Sequence, residues 1–230
     1  MNDEVIVSIL TYNKLEYTKK CLESLFKSNP LPYHRIVVTD NGSSDDTKTW
    51  LRSLGNKIRF IDNHVNVGFA EAHNNVMREY PQHDVVLVNN DIEVLENWLE
   101  ILYNEVYVGN YGAVTPAIKV ANGLDVGAVL DSQAKGKSII NGEQEPDWIT
   151  GSCFYIRRDT IEKVGYLDNG FKFYYEDVDY CLRMKKAGIR FKCIREVVIV
   201  HHNSVSSNPE QKKKMMEESR LYFIKKHDWK

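Results

Sequence analysis

The run Val85-Val86-Leu87-Val88 ends abruptly in two amides and a carboxylate, Asn89-Asn90-Asp91. An unbroken β-branched and leucine stretch of this length suits a strand covered on both faces, as in a parallel sheet. Ligands of open α/β sheets bind outside the carboxyl ends of such strands. Asp91 therefore stands where a hard cation and a phosphate can meet it. A helix N-cap is the plainer alternative, since Asn and Asp often start a helix after a strand.

The first half alternates strands and helices. Val5 to Leu10 reads as a strand, followed by a helix with Thr18, Cys21, Leu22, Leu25 and Phe26 on one face and a capping box from Asn13 and Glu16. Arg35 to Thr39 is the second strand, and Asp40-Asn41-Gly42-Ser43-Ser44 turns into a helix with Thr47, Trp50, Leu51 and Leu54 inward. Ile58 to Ile61, a helix striped by Phe69, Ala72, Val76 and Tyr80 and stopped at Pro81, and strand 85–88 complete a βαβαβαβ order. Such an order predicts an α/β fold with a parallel sheet of the nucleotide-binding sort.

The second half changes character. A helix with Trp98, Ile101 and Leu102 buried leads to short strands at Tyr111 to Thr115 and within 126–140, joined by turns at Asn122-Gly123 and Lys135-Gly136. Gly151 to Ile156 is a further strand, then a short helix capped by Asp159 and closed by Gly165. An acidic helix runs from near Glu176 to Gly188, and strand 197–200 ends in His201-His202. A last helix opens at Pro209, striped by Met216, Tyr222 and Phe223.

With 230 residues and 43% hydrophobic content the chain can bury a large core. A net charge of −2 gives no footprint for nucleic acid. The apolar runs, such as Val197 to Val200, are too short to cross a bilayer, and Met1-Asn2-Asp3-Glu4 lacks the features of a signal peptide. A soluble, cytoplasmic protein with no transmembrane segment is expected. Cys21, Cys153, Cys181 and Cys193 form no CxxC pair and read as reduced core thiols.

Four polar clusters follow strands: Thr11-Tyr12-Asn13, Asp40-Asn41-Gly42-Ser43, Asn89-Asn90-Asp91 and His201-His202. One is explained by capping; four suggest a shared ligand-binding edge. Asp91 with a distant His, and no thiolate cluster, suits Mg²⁺ or Mn²⁺ held by few protein atoms plus phosphate oxygens. His201 ends the apolar strand and can face the cleft, whereas His202 points the other way. In Tyr174-Tyr175-Glu176-Asp177-Val178-Asp179 three carboxylates open a helix, where the helix dipole favours them. Aromatic neighbours also desolvate such a carboxylate and raise its pKa towards general-base use, and Asp177 lies at the edge of the buried face.

Five segments in order resemble the signature of family 2 glycosyltransferases with the GT-A fold. They are Ser8-Ile9-Leu10-Thr11-Tyr12-Asn13, Thr39-Asp40-Asn41-Gly42-Ser43, Asn66-Val67-Gly68-Phe69-Ala70, Leu87-Val88-Asn89-Asn90-Asp91 and Tyr175-Glu176-Asp177-Val178-Asp179. The likeness runs from about residue 4 to 206, and is nearest to bacterial rhamnosyltransferase-like enzymes that build surface polysaccharides. It implies a Rossmann-like, mainly parallel central sheet flanked by helices, with a smaller α+β acceptor-side half. One domain over 1–206 is expected, with a nucleotide-sugar half over 1–115, an acceptor half over 116–206, and a C-terminal helix over 207–230.

The resemblance implies roles for individual residues. Asp40 would accept the imide N–H of a uracil or thymine, with Thr11, Tyr12, Asn13, Asn41 and Gly68 in the nucleotide-sugar site. Asn90 stands at the ribose position and Asp91 at the metal position, His201 being the second ligand of Mn²⁺ or Mg²⁺. Asn89 and Asn90 depart from the commoner Asp-x-Asp, so Asp91 alone carries the triplet's charge. Trp148, Gly151 and Glu176 fall in the region that meets donor sugar and acceptor, and Asp177 matches the general base. The implied reaction is inverting transfer from a UDP- or TDP-linked sugar, rhamnose among the candidates, to a glycan or lipid-linked acceptor.

Two other classes compete. A sugar nucleotidyltransferase would carry a Gly-rich, basic phosphate loop near its start, and none occurs between Ser8 and Lys20. A non-catalytic carbohydrate-binding protein would need neither base nor metal. Lys212-Lys213-Lys214, Lys225-Lys226 and Lys230 offer either a peripheral contact with an anionic membrane or a solvated helix face.

Overall fold

The computed structural model describes residues 5–28, 34–171, 173–202 and 209–229. The Met1-Asn2-Asp3-Glu4 start, the expected boundary at 206/207 and Lys230 lie outside them. The chain runs β1 (Val5–Thr11), α1 (Leu15–Lys27), β2 (His34–Asp40), α2 (Thr47–Ser53), β3 (Arg59–Asp62), α3 (Phe69–Glu79) and β4 (Asp84–Asn89). It continues through β5 (Ile92–Glu93), α4 (Trp98–Val108), β6 (Ala113–Val120), β7 (Gly123–Leu130), β8 (Gly136–Ile140) and β9 (Cys153–Ile156). Last come α5 (Arg158–Val164), α6 (Glu176–Lys186), β10 (Phe191–His201) and α7 (Pro209–His227).

One mixed sheet, ordered β3-β2-β1-β4-β9-β6-β10-β5, passes through both halves, with β7 on β6 and β8 on β7. Strands β3, β2, β1 and β4 are parallel. β9 lies antiparallel between β4 and β6, and joins the two halves. On β4, Val86 and Val88 pack into one core with α1, α2 and α4, while Val85 and Leu87 pack into the other with α3 and α6. This alternation explains why the strand is apolar throughout: helices cover both faces.

Several local expectations change. The capping box at Asn13 and Glu16 is not formed; α1 starts after a left-handed Lys14 without a side-chain cap. Asn13 is itself left-handed, and its Oδ1 accepts from the Ser44 backbone N–H at 2.7 Å, so it ties β1 to the turn after β2 instead. Asp159 sits inside the first turn of α5, whose cap position belongs to Arg157. The last strand extends from 191, interrupted by a register shift between Ile194 and Val198 that leaves Arg195 and Glu196 exposed. Of the expected α7 stripe only Phe223 is buried; Met216 and Tyr222 are exposed. All four cysteines are buried and unbridged. Among the described residues no helix is long and apolar enough to cross a membrane.

Candidate active site

The carboxyl ends of β1, β2 and β4 open on a cavity of about 490 Å³ whose walls include Tyr12, Lys14, Asn41, Gly68, Asn90 and Asp91. A second cavity of about 410 Å³ is lined by Trp148, Gly151, Glu176, Asp177 and His201, with Ala128 and Leu130 from β7 and Ser138 from β8. Phe69, Asn89 and Phe173 line both, so the two are adjacent.

Asp40, next to the cavity-lining Asn41, is fully buried and lines neither cavity. Its Oδ1 accepts the backbone N–H groups of Gly42 at 3.1 Å and Ser43 at 2.8 Å, with Lys48 Nζ 3.7 Å away. Its Oδ2 has no hydrogen-bond partner. Gly42, at φ +88°, permits this turn, and a Cβ there would lie 2.9 Å from backbone atoms of Val65. The opposing loop is held by Asn41, whose Nδ2 donates to Asn66 Oδ1 at 2.9 Å and whose Oδ1 accepts from Val67 N at 3.0 Å. Gly68 caps α3 at φ 87° and ψ 169°, a region that only glycine enters freely.

Thr11 is fully buried and serves from behind: its hydroxyl lies 2.8 Å from that of Thr18, and Asn90 Nδ2 donates to Thr11 at 3.2 Å and to Thr18 at 2.9 Å. The amide nitrogen of Asn90 is thereby turned into the protein. Asp91, 2% exposed, presents Oδ1 3.3 Å from His201 Nε2. His202 faces away, its Nε2 2.7 Å from Glu93 Oε1.

A carboxylate and an imidazole at this spacing are a donor set that fits a hard divalent cation. Among the described residues no group of three His, Cys, Asp or Glu side chains forms a metal cage, so the other positions would fall to ligand and water oxygens. Asp91 lines the first cavity and His201 the second, which places the pair at their junction.

In the second cavity Tyr174 and Tyr175 are both left-handed, at φ 68° and 71°, a strained pair of order 1–3 kcal/mol per residue. This sharp turn delivers Glu176 and Asp177 at the start of α6. Tyr175 is held by its hydroxyl donating to the Ala134 carbonyl at 2.7 Å and by packing with Phe223. Asp177 Oδ2 accepts from Gly151 N at 2.8 Å and Oδ1 from Val178 N at 2.8 Å. Glu176 Oε2 is buried without a partner. Burial raises the pKa of both carboxyls, and the neighbouring Asp177 charge raises Glu176 further, whereas the backbone donors counteract the rise at Asp177. Both acids thus stand above the ordinary carboxylate range, and the two backbone donors favour the ionised form at Asp177.

Lys14, Asn66, Phe69, Phe173, Gln211 and Met215 also line the cavities without having been singled out as site residues in the sequence. Asn66 and Phe69 fall within one of the five quoted segments; the others carry no local signal.

The mixed sheet, parallel from β3 to β4 and flanked by helices on both faces, has a GT-A-type architecture. Residues 6–182 match the profile of Glycosyl transferase family 2, and the chain belongs to that family. It is 25% identical over 215 residues to the low-salt glycan biosynthesis hexosyltransferase Agl10 of Haloferax volcanii, covering 87% of this chain and 68% of the relative. It is 24% identical over 227 residues to the N-acetylglucosaminyl-diphospho-decaprenol L-rhamnosyltransferase of Mycobacterium tuberculosis, covering 82% and 72%. Among solved structures, GalNAc-T7 with UDP, GalNAc and Mn²⁺ superposes at a TM-score of 0.77 and 13% identity, covering 96% of this chain and 47% of that one. The mannosyltransferase PcManGT of Pyrobaculum calidifontis with GDP-Man and Mn²⁺ gives 0.68 at 17% identity, covering 89% and 58%. This chain thus spans about half the length of those two solved proteins.

Proposed function

We propose that this chain transfers a sugar from a nucleoside diphosphate sugar to an acceptor hydroxyl with inversion at the anomeric carbon. The observation that carries the reading is the buried Glu176 and Asp177 pair at the start of α6, with Asp177 held by the Gly151 and Val178 backbone N–H groups, in a cavity that shares Phe69, Asn89 and Phe173 with the one at the β1, β2 and β4 ends. Asp177 takes the acceptor proton, the freed oxygen attacks the anomeric carbon in line, and the bond to the diphosphate breaks with its electron pair on the leaving group. No covalent intermediate on the protein is required.

Asp40 Oδ2, buried and without a partner, supports a nucleobase with an imide N–H, hence a uracil or thymine nucleotide. Tyr12, Asn13, Asn41, Gly68 and Asn90 belong to the same nucleotide-sugar site, Thr11 acting through Asn90. Asp91 and His201 would hold Mn²⁺ or Mg²⁺, which would offset charge on the departing diphosphate. Trp148 and Gly151 wall the acceptor side. A glycan or lipid-linked acceptor is supported by the mycobacterial relative, named for a diphospho-decaprenol substrate.

Replacing Asp177 by Asn tests the reading. Transfer falls by about 10²- to 10⁴-fold, the range of general-base contributions, while donor binding measured by calorimetry stays unchanged. A variant with the wild-type rate removes Asp177 from the role.

A further inference from the structure

Helix α7 lies beyond the residues that match the family profile, yet it touches both cavities. Gln211 and Met215 line the first, Met216 lines the second, and Ser219 Oγ donates at 2.7 Å to the carbonyl of Phe173, which lines both. Phe223 is fully buried in a satellite core with Ala134, Phe171, Tyr175 and Val178.

The far end of α7 reaches the catalytic helix. Asp179, two residues after Asp177, is fully buried, and its carboxylate is saturated by cationic and imidazole donors. Arg183 Nε donates to Oδ2 at 2.8 Å, while Lys226 Nζ at 2.6 Å and His227 Nε2 at 2.8 Å reach Oδ1. His227 Nδ1 lies 3.1 Å from Lys186 Nζ and accepts from it, which fixes the neutral tautomer with its proton on Nε2. Arg183 continues to the carbonyls of Val164 and Tyr166, and Lys226 to Asp168 Oδ2 at 2.6 Å. One buried carboxylate thus joins α6, the segment after α5, and α7.

We propose that Lys226 and His227 are positioning residues: by gripping Asp179 they fix the first turn of α6, and with it the hydrogen bond between Asp177 and Gly151. The physical need is the strained turn at Tyr174 and Tyr175, which stores energy that only surrounding structure can hold. Phe223 and the Asp179 clamp supply that hold from one helix. This rests on Asp177 being the general base.

The test uses full-length His227→Ala, Lys226→Met and His227→Gln, whose side-chain nitrogen can replace Nε2 as donor to Asp179. Three quantities are read: kcat and donor KM, melting temperature, and amide exchange at Gly151 and residues 176–180. In the first two variants kcat falls about tenfold to a hundredfold, as for a small misplacement of a catalytic group, with donor KM unchanged. Exchange rises locally at Gly151 and 176–180, and His227→Gln restores both readouts. Wild-type kcat or wild-type Gly151 exchange in the folded variants overturns the proposal, as does uniform exchange with a lowered melting temperature and no rescue by Gln. If the native protein transfers no sugar, the base assignment fails, and the Gly151 exchange still decides whether the clamp orders the turn.

Discussion

Gly151 donates its backbone N–H to Asp177 Oδ2 across 2.8 Å, whereas the adjacent carboxyl of Glu176 leaves Oε2 without a partner. This asymmetry favours the charge on Asp177 over Glu176. Hydrogen bonds to the ionised form favour Asp177 as the carboxylate, and desolvation with a like charge beside it leaves Glu176 protonated.

A neutral Glu176 is matched in shape and charge by glutamine. Glu176→Gln therefore retains kcat at pH 7 within about threefold, far from the loss expected for a general base. The pKa of Glu176 is raised, so the folded chain holds a proton that the unfolded chain releases above about 4.3. Stability is lost as pH rises from there towards the folded pKa, and Glu176→Gln escapes that loss. The melting temperature of the variant relative to wild type should increase between pH 5 and pH 8. A collapse of kcat in Glu176→Gln would show that an ionised Glu176 does the work assigned to Asp177.

Asp40 offers a different readout. With Oδ1 committed to Gly42 and Ser43, Oδ2 is the acceptor left for a base. In Asp40→Asn the carbonyl oxygen keeps the backbone bonds and the amide nitrogen takes the place of Oδ2. A donor then faces the imide N–H of uracil, while the N3 acceptor of cytosine is satisfied. UDP affinity falls by about 10- to 100-fold, the range for a lost hydrogen bond to a charged group, and the ratio of CDP to UDP affinity rises. Calorimetric titration of both nucleotides checks this; an unchanged ratio removes Asp40 from base recognition.

The strand ends were legible because β4, β1 and β2 are covered on both faces, so their apolar runs and polar stops carry the sheet's architecture in local sequence. The family segments likewise pointed to Asp40, Asp91 and Asp177 as a group. What sequence did not reveal depends on distant chain. Asn13 has the chemistry of a cap, but Ser44, 31 residues away, claims its oxygen. Asp179 has the pattern of an acid at a helix N-terminus, and only the return of α7 turns it into a buried hub. The first part of β10 was hidden because its register shift places Arg195 and Glu196 outward and breaks the alternation that marks a strand.

His73 gives a stability prediction independent of catalysis. It is fully buried on α3, its Nδ1 2.8 Å from Ser8 Oγ, and burial lowers its pKa to about 3. Between that value and the ordinary histidine pKa of about 6.5, the unfolded chain binds a proton that the folded chain does not. Its contribution is therefore intact above pH 6.5 and is lost on acidification by up to about 1.4 kcal/mol per pH unit. Urea unfolding at pH 7 and pH 5.5 should show a shallower pH dependence in His73→Leu than in wild type, whatever the variant's absolute stability. Equal slopes would mean that His73 titrates normally.

The junction of the two cavities sets the last expectation. Asp91 is the only acid of its triplet, the Asn90 amide nitrogen is spent on Thr11 and Thr18, and His201 Nε2 stands 3.3 Å from Asp91 Oδ1. Two protein donors are too few to bind a hard cation tightly, because such ions hold their water until further oxygens replace it. A diphosphate supplies those oxygens. Mn²⁺ should thus bind weakly alone and strongly with UDP, so the measured quantity is the gain in UDP affinity that Mn²⁺ produces. Asp91→Asn and His201→Ala each abolish that gain while leaving metal-free UDP affinity unchanged, since the base contact at Asp40 is untouched. A Mn²⁺-dependent gain that survives in Asp91→Asn would mean that the cation is held elsewhere and that Asp91 only orders the strand end.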